Sequence, residues 1–541
     1  MSAIILSGGL IVDGTGGAEY VGDIVVRGDS IESIKPHGHI AADEDEVIDC
    51  RGLTIMPGFI DAHSHADGAV FEDRVALALL SEGVTTVIGG QDGVSYAPGD
   101  GKYASEYFGA VNGPHPRYQG STVSDLLATY DETSAVNFGY LVPHGTVRHQ
   151  VMGMENRKAT PVELSSMVEL VASALEEGAL GLSTGLDYVP GLFADAEELA
   201  QLTVPVASVR ALYVTHMRGG YETNAHIGLA EIREIIAVSG ASVHVSHFHG
   251  PHDVVRSLVD EALRDGIDLS FDSYPYLRGS TLLAMPILPA DLMSQGHEHV
   301  ITVLSDPDKR REIADLQRAV ISSRPDMGPN WAEQALLSYV SSPRYAWAEG
   351  MTVQAAASQA AQDPMEFSLE LLAESQLAVV AVFALPVQRP IEQLAAIMRH
   401  HAQMVGSDGI YMGSRPHPRG WGTFAKVLAT FTRERGDYTW PEASQHLSAN
   451  AAGRYGLGDR GELKPGYKAD IVLVDPLRIQ DLAEYENPVV PAVGIDSVLV
   501  NGVWALRDGK LTGARPGRGL RRSAAVQPVR TMDALVRTEG E

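Results

Sequence analysis

The stretch PGFIDAHSHAD, residues 57–67, puts His63 and His65 one residue apart where a strand-like run gives way to a loop. Side chains alternate along a strand, so residues i and i+2 share a face, and two imidazoles on one face can grip a metal ion. Alone, the pair reads equally well as hydrogen-bonded surface histidines. Three further residues tip the balance: His216 ends LYVTH, His247 ends VHVSH, and Asp408 lies in MVGSDGI, each where an apolar run stops. Four imidazoles and a carboxylate buried together without an ion would be costly to desolvate, and that donor set suits zinc. The chemistry of such a centre is hydrolysis, in which the ion acidifies water and polarises a carbonyl while Asp408 carries the proton.

For these five residues to meet, the scaffold must end its strands at one mouth. Apolar or β-rich runs occur at 56–62, 84–89, 137–143, 179–184, 211–216, 242–247, 267–273 and 402–408. Helical patterns such as TPVELSSMVELVASALEEG and NAHIGLAEIREIIAVSG separate several of them. The alternation predicts an α/β fold, a (β/α)8 TIM-like barrel over 57–455, with its chemistry at the C-terminal strand ends. The gap from about 279 to 400 is too long for one crossover, so it holds an insertion after strand 7, in which SDPDKRREIADLQRAVISS is helical. Residues 1–56 and 456–541 share short β-rich pieces with glycine turns, which predicts one small β-sandwich domain built from both chain ends. Arg515, Arg518, Arg521 and Arg522 in the tail read as a strap on an acidic body rather than a binding arm.

The 541 residues carry 41 basic against 69 acidic side chains, a formal charge of −28. That field repels nucleic acid and anionic membranes, leaving a small molecule as the expected partner. Cys50 is the only cysteine, which excludes an intramolecular disulfide and a cysteine-rich zinc site. With no basic leader and no apolar run long enough to span a bilayer, a cytoplasmic location is expected.

Longer motifs then become informative: PGFIDAHSH, GVTTVIGGQDGVSYAP, PHGTVRHQVMG, GALGLSTGLDYVPG, THMR, VSHFHG, DSYPY, GSDGI, PHPRGWGTF and DRGELKPGYKADIVLVDP. Through them nearly the whole chain resembles the amidohydrolase superfamily, specifically its N-acyl-D-amino-acid deacylase (D-aminoacylase) group. The resemblance implies that His63 and His65 face one metal position and His216 and His247 the other, with a bridging group between. Many members use a carbamylated lysine there, and typical D-aminoacylases a cysteine in a GNCG turn after strand 2. Here the turn reads GGQDG, so Asp92 takes the cysteine's place, and Lys35, Lys102 and Lys158 lie at no barrel-strand end. A carboxylate in place of a thiolate should weaken the preference for zinc and admit manganese or cobalt. If Asp92 is a plain turn residue, one ion held by His216 and His247 remains.

The resemblance also implies a pocket for a substrate carboxylate, and here the sequence departs from the group. The usual SHLK becomes SHFH, placing His249 at the lysine, and YPYTAGST becomes YPYLRGST, introducing Arg278. Arg278 with help from Tyr276 is the expected replacement cation, the alternative being a surface arginine paired with the insertion. Tyr188 and Arg218 are further pocket candidates, and His144, ending strand 3, is expected to support the cluster from behind. His417 and Arg419 have no assigned chemistry. The expected activity is release of a D-amino acid from its N-acyl derivative. Rival readings are hydrolysis of another amide, whether cyclic, dipeptide-like or a natural-product intermediate, and a barrel that serves only as a scaffold. Barrels of this kind often associate, so a homo-oligomer is also an expectation.

Overall fold

Eight parallel strands carry the middle of the chain: Phe59–Asp61, Val84–Gly89, Asn137–Pro143, Gly181–Gly185, Leu212–His216, Ser242–Val245, Leu269–Ser273 and Gln403–Val405. Neighbours in sequence are neighbours in the sheet, and the Ala62 amide closes the ring on the Val405 carbonyl at 3.2 Å. The computed structural model describes residues 3–39, 46–324, 327–385 and 389–529. The strands beginning at Val84, Asn137, Gly181, Leu212 and Leu269 are buried along their whole length, as a barrel packed inside and covered by helices outside requires. Both helical patterns form as expected. Pro161–Glu176 starts at a Thr160–Glu163 capping box and turns Met167, Val171, Ala174 and Leu175 to the core. Ala225–Ser239 stops at Gly240, whose φ of 67° is the left-handed cap that glycine accepts freely.

Strand ends differ from expectation where chemistry lies. The run at 56–62 splits at Gly58. Thr54–Pro57 pairs antiparallel with Ile471–Val474 in the terminal sheet, and the barrel strand begins only at Phe59. The sixth and eighth strands stop at Val245 and Val405, so His247 and Asp408 sit on the loops that follow.

The chain ends build one nine-stranded sheet, with Ile4–Ile11, Tyr20–Arg27, Ser30–Pro36, Glu46–Asp49 and Thr54–Pro57 from the N-terminal side. Ile471–Val474, Ile495–Val500, Val503–Arg507 and Lys510–Leu511 complete it. Leu6, Ile24, Ile31 and Cys50 share a core with Ile471 and Leu499, so the two ends need each other to bury their apolar faces.

After the seventh strand the insertion forms its own antiparallel sheet, Arg278–Leu282 and Ala335–Val340 flanking Val379–Ala384. Its separate core includes Leu304, Ile321, Leu337 and Phe367, and helix Pro307–Ser323 covers the predicted run. It ends earlier than about 400: helix Ile391–Met398 packs on helix His252–Arg264 and already belongs to the barrel. The described part of the tail lies on the body as a strap. Arg515 pairs with Asp73, Arg518 lies 3.1 Å from Asp29, and Gly519–Leu520 pairs parallel with Phe138–Gly139. Residues 530–541 lie outside the described residues.

Candidate metal centre and catalytic pocket

Closure of the barrel aligns two short segments. The Asp61 carboxylate accepts the His63 and Ser407 amides, at 3.3 and 2.7 Å, and the Ser407 hydroxyl. One step on, the Asp408 amide donates to the His63 carbonyl at 2.7 Å and the His65 amide to the Gly409 carbonyl at 3.0 Å. His63-Ser-His65 and Ser407-Asp-Gly409 are thereby zipped side by side. Asp408 Oδ1 ends 3.3 Å from His65 Nε2 and 3.8 Å from His63 Nε2.

Across the mouth, His216 Nδ1 and His247 Nε2 lie 3.1 Å apart. Asp92 stands between the two pairs. Its Oδ1 is 3.7 Å from His63 Nε2 and 3.8 Å from His247 Nε2, and its Oδ2 is 3.5 Å from His65 Nε2 and 3.8 Å from His216 Nδ1. Two ligand atoms each about 2.0–2.1 Å from a tetrahedral zinc ion are roughly 3.4 Å apart, so these spacings suit atoms arranged round shared cations. The donor set fits that use: His63 Nε2 and Asp92 Oδ1 are buried without a hydrogen-bond partner, a costly condition that an ion relieves. None of the six side-chain-bearing residues is more than 7% exposed.

Two outer ring nitrogens are held as metal ligands need: Asn112 Oδ1 is 3.0 Å from His65 Nδ1 and Asp187 Oδ2 is 3.2 Å from His216 Nε2. The outer nitrogen of His63 faces Asp272 Oδ2 at 3.4 Å without a hydrogen bond. An acceptor on the outer nitrogen keeps the proton there and leaves the inner lone pair for an ion. The Asp272 carboxylate accepts the His247 amide at 2.9 Å.

The backbone is strained at the same place. Asp92, His247 and Asp408 have φ of 54°, 34° and 50°, left-handed conformations that cost a non-glycine residue roughly 1–3 kcal/mol and persist where surrounding contacts enforce them. The turn bearing Asp92 rests against the fourth strand, where a Cβ on Gly185 would collide with the Asp92 carbonyl.

Electrostatics favour a cation. Burial opposes ionisation of Asp92, but the surrounding imidazoles, His63 foremost, hold its carboxyl well below the usual range. His65 moves the other way: burial lowers it, yet Asp408 and Asp92 push it up to about 10. Asp408 is desolvated too and is still held low, chiefly by Arg419 and His65. Arg419 is fully buried and reaches Asp408 Oδ2 at 2.8 Å.

A cavity of about 510 Å³ opens over this cluster, walled by Phe108, Leu192, Met285, Met327, Phe383 and Ile410 among others. Tyr188 lies in its wall, with its hydroxyl 2.9 Å from Thr281 Oγ1 of the insertion and its ring 5.2 Å from that of His216. His249 stands at the rim, donating from Nδ1 to the His247 carbonyl at 2.9 Å.

Four expected residues are placed elsewhere. Arg218 spends its guanidinium on Glu231 and on the Leu192 and Ala194 carbonyls, because the chain turns away directly after His216. Tyr276 packs under Lys426 and beside His417, and Arg278 lies 4.0 Å over the Tyr485 ring; both line a smaller neighbouring cavity. His144 bonds Glu198 at 2.8 Å, and Glu198 also takes Arg148, so that histidine anchors a helix rather than a ligand. In their stead the pocket contains Tyr274, Asp187, Arg324 and Arg419. Asp272 and Tyr274 are visible in DSYPY as polar residues at a strand end; Asn112 ends the short helix Gly109–Asn112, with no pattern to mark it.

Comparison with known proteins identifies the family. Residues 46–505 match the model of the amidohydrolase family. D-aminoacylase of Alcaligenes xylosoxydans xylosoxydans is 30% identical over 96% of this chain and 98% of its own length. N-acyl-D-aspartate deacylase of the same organism is 32% identical, covering 95% and 94%. The crystal structure of Bordetella bronchiseptica N-acyl-D-glutamate deacylase, complexed with zinc and a phosphonate mimic of the tetrahedral intermediate, superposes with a TM-score of 0.80. It has 27% identity over 96% of this chain and 99% of that one. A shared family model over most of the sequence, end-to-end relatives and a common barrel lead to one conclusion: the chain belongs to the amidohydrolase family.

Proposed function

We propose that this amidohydrolase cleaves the amide of an N-acyl-D-amino acid, giving a carboxylic acid and a free D-amino acid. The observation that carries this reading is Asp92 set between two histidine pairs with Asp408 facing the same gap, beneath a cavity sized for a small molecule. His63 and His65 on one side and His216 and His247 on the other would hold one or two zinc ions, with Asp92 shared between them. A carboxylate at that position leaves manganese and cobalt as substitutes. An ion bound there would supply Lewis acidity toward the scissile carbonyl and toward water near neutral pH.

The chain's own groups do the rest. Asp408 Oδ1 takes a proton from water as its oxygen joins the carbonyl carbon. The same oxygen returns the proton to the amide nitrogen, the C–N bond breaks, and the amine leaves. Tyr188 and Thr281 fix the wall beside His216, and Arg324 in the cavity lining is the cation proposed to meet the substrate carboxylate.

Amine release from matched N-acetyl-D- and N-acetyl-L-amino acids, with zinc supplied, tests the reading. Turnover confined to D-substrates supports it. Silence across the panel from folded, zinc-loaded protein removes it.

A further inference from the structure

Directly after His216 the chain reads MRGGYETN, and its two glycines decide where the tyrosine goes. Gly219 and Gly220 have φ of 74° and 72°, left-handed conformations that glycine adopts freely. They turn the loop back, the Asn224 side-chain amide closes it on the Gly219 carbonyl at 3.0 Å, and Tyr221 is buried in the cavity wall. Its hydroxyl sits at the end of a hydrogen-bond ladder. The fifth and sixth strands pair in parallel with Thr215 opposite Val245, and the Ser246 amide donates to the Thr215 carbonyl at 3.0 Å. A parallel ladder continues with the Met217 amide on the Ser246 carbonyl. Instead, the Met217 amide donates to the Tyr221 hydroxyl at 3.3 Å, and that hydroxyl donates to the Ser246 carbonyl at 2.8 Å. One oxygen atom thus occupies the last rung, and its two partners adjoin His216 and His247 in sequence. The ring packs on both imidazoles, T-shaped in each case, with centroids 5.6 Å from His216 and 5.1 Å from His247.

We propose that Tyr221 is a positioning residue for the His216 and His247 half of the metal centre: its hydroxyl, inserted as the last rung between two strands, sets the gap across which those imidazoles share an ion. His216 Nδ1 and His247 Nε2 lie 3.1 Å apart. That is close to the roughly 3.4 Å expected of two nitrogens on one tetrahedral zinc ion. Without the hydroxyl, two arrangements remain. A rung closed directly from Met217 to Ser246 draws the strand ends together and changes the spacing of the rings. A rung left open strands a buried amide and a buried carbonyl, which the loop can relieve only by moving. In either case the two nitrogens leave the positions an ion needs. The same loop serves His216 a second time, because the Gly219 amide holds the Asp187 carboxylate that faces His216 Nε2. The inference rests on His216 and His247 as ligands of one ion.

Tyr221→Phe keeps the ring and deletes the one oxygen. Three properties are compared with wild type: zinc affinity by competition with a chromophoric chelator, the visible absorption of the cobalt-loaded protein, and the thermal midpoint of the metal-free protein. Zinc affinity at one position is expected to fall roughly tenfold, and the cobalt bands to shift as the ligand geometry changes. A merely structural tyrosine would move only the metal-free midpoint. Zinc affinity within about twofold of wild type, or cobalt bands that do not move, therefore overturns the proposal whatever the midpoint does. If Tyr221→Phe does not fold, Tyr221→Met fills the space with a flexible chain and decides by the same two readouts. None of these measurements uses a substrate, so their outcome is independent of the deacylase reading. Wild-type protein that binds no zinc removes the ligand assignment, and the inference with it.

Discussion

Asp187 Oδ2 lies 3.2 Å from His216 Nε2, on the ring edge opposite the nitrogen that faces Asp92. The other oxygen of Asp187 accepts the Gly219 amide at 2.8 Å, so the carboxylate is oriented before it orients the ring. Burial raises the Asp187 carboxyl, but His216 outweighs that effect and keeps it low. Removing such a partner typically costs 10–100-fold in metal affinity. Asp187→Ala should therefore weaken zinc binding by about that factor, read by competition with a chromophoric chelator. Unchanged affinity would show that His216 needs no fixing.

As a proposed metal ligand, Asp92 should set which metal is preferred. Asp92→Cys exchanges a hard carboxylate for a soft thiolate and should raise zinc and cadmium affinity relative to manganese. Metal competition on the two proteins, followed by mass spectrometry of bound metal, checks the ratio. The same preference in both would remove Asp92 from the ligand set.

Substrate side chains should be apolar. Phe108, Met285, Met327 and Phe383 wall the cavity, and Asp187 and Glu222 add negative charge to it. Glu222 pairs with Arg389 and faces His249 Nε2 at 3.7 Å, so the Arg389 guanidinium at that rim is already partnered by a carboxylate. N-acetyl-D-leucine or N-acetyl-D-methionine should exceed N-acetyl-D-aspartate and N-acetyl-D-glutamate in kcat/KM by roughly tenfold or more, a difference of about 1.4 kcal/mol. Equal efficiency on the acidic substrates would contradict this account of the wall.

Stability should fall in mild acid through buried neutral histidines. His446 is lowered to about 4, mainly by burial, while its Nδ1 lies 2.6 Å from Gln403 Oε1. The unfolded chain, with an ordinary histidine near 6.5, binds the proton first, so stability is intact above that value and declines as pH falls toward 4. At pH 5 the loss from His446 alone is about 2 kcal/mol, and His115 and His401, also lowered to about 4 by burial, act in the same direction. Urea midpoints at pH 7.5 and pH 5 measure the drop, and His446→Gln should shrink it. A pH-independent midpoint would rule the mechanism out.

Several site residues declare themselves in the sequence because their positions follow local rules. His63, His65 and His216 terminate apolar runs, and barrel strands deliver their C-terminal ends to one mouth, so residue type and position suffice. Asp92 is legible only by comparison with a family turn, since nothing local distinguishes a ligand from the aspartate of any Asp-Gly turn. Arg278 shows the opposite case. A cation beside a strand end is an attractive carboxylate ligand, but strand pairing inside the insertion commits its side chain to Tyr485. Arg419 lies beyond the last barrel strand, and its contacts with Tyr274 and Ser280 come from segments about 140 residues earlier.

By itself, then, the sequence determined the candidate histidine donors, the eight strands that end beside them and the two chain ends that must pair, because periodicity and residue chemistry are local properties. Only the tertiary structure decided that Asp92 stands between the histidine pairs, that Arg419 lies against one oxygen of Asp408, and that Asp187 lies against His216. Those are distances between residues far apart in sequence, and they exist only once the barrel has closed through Ala62 and Val405.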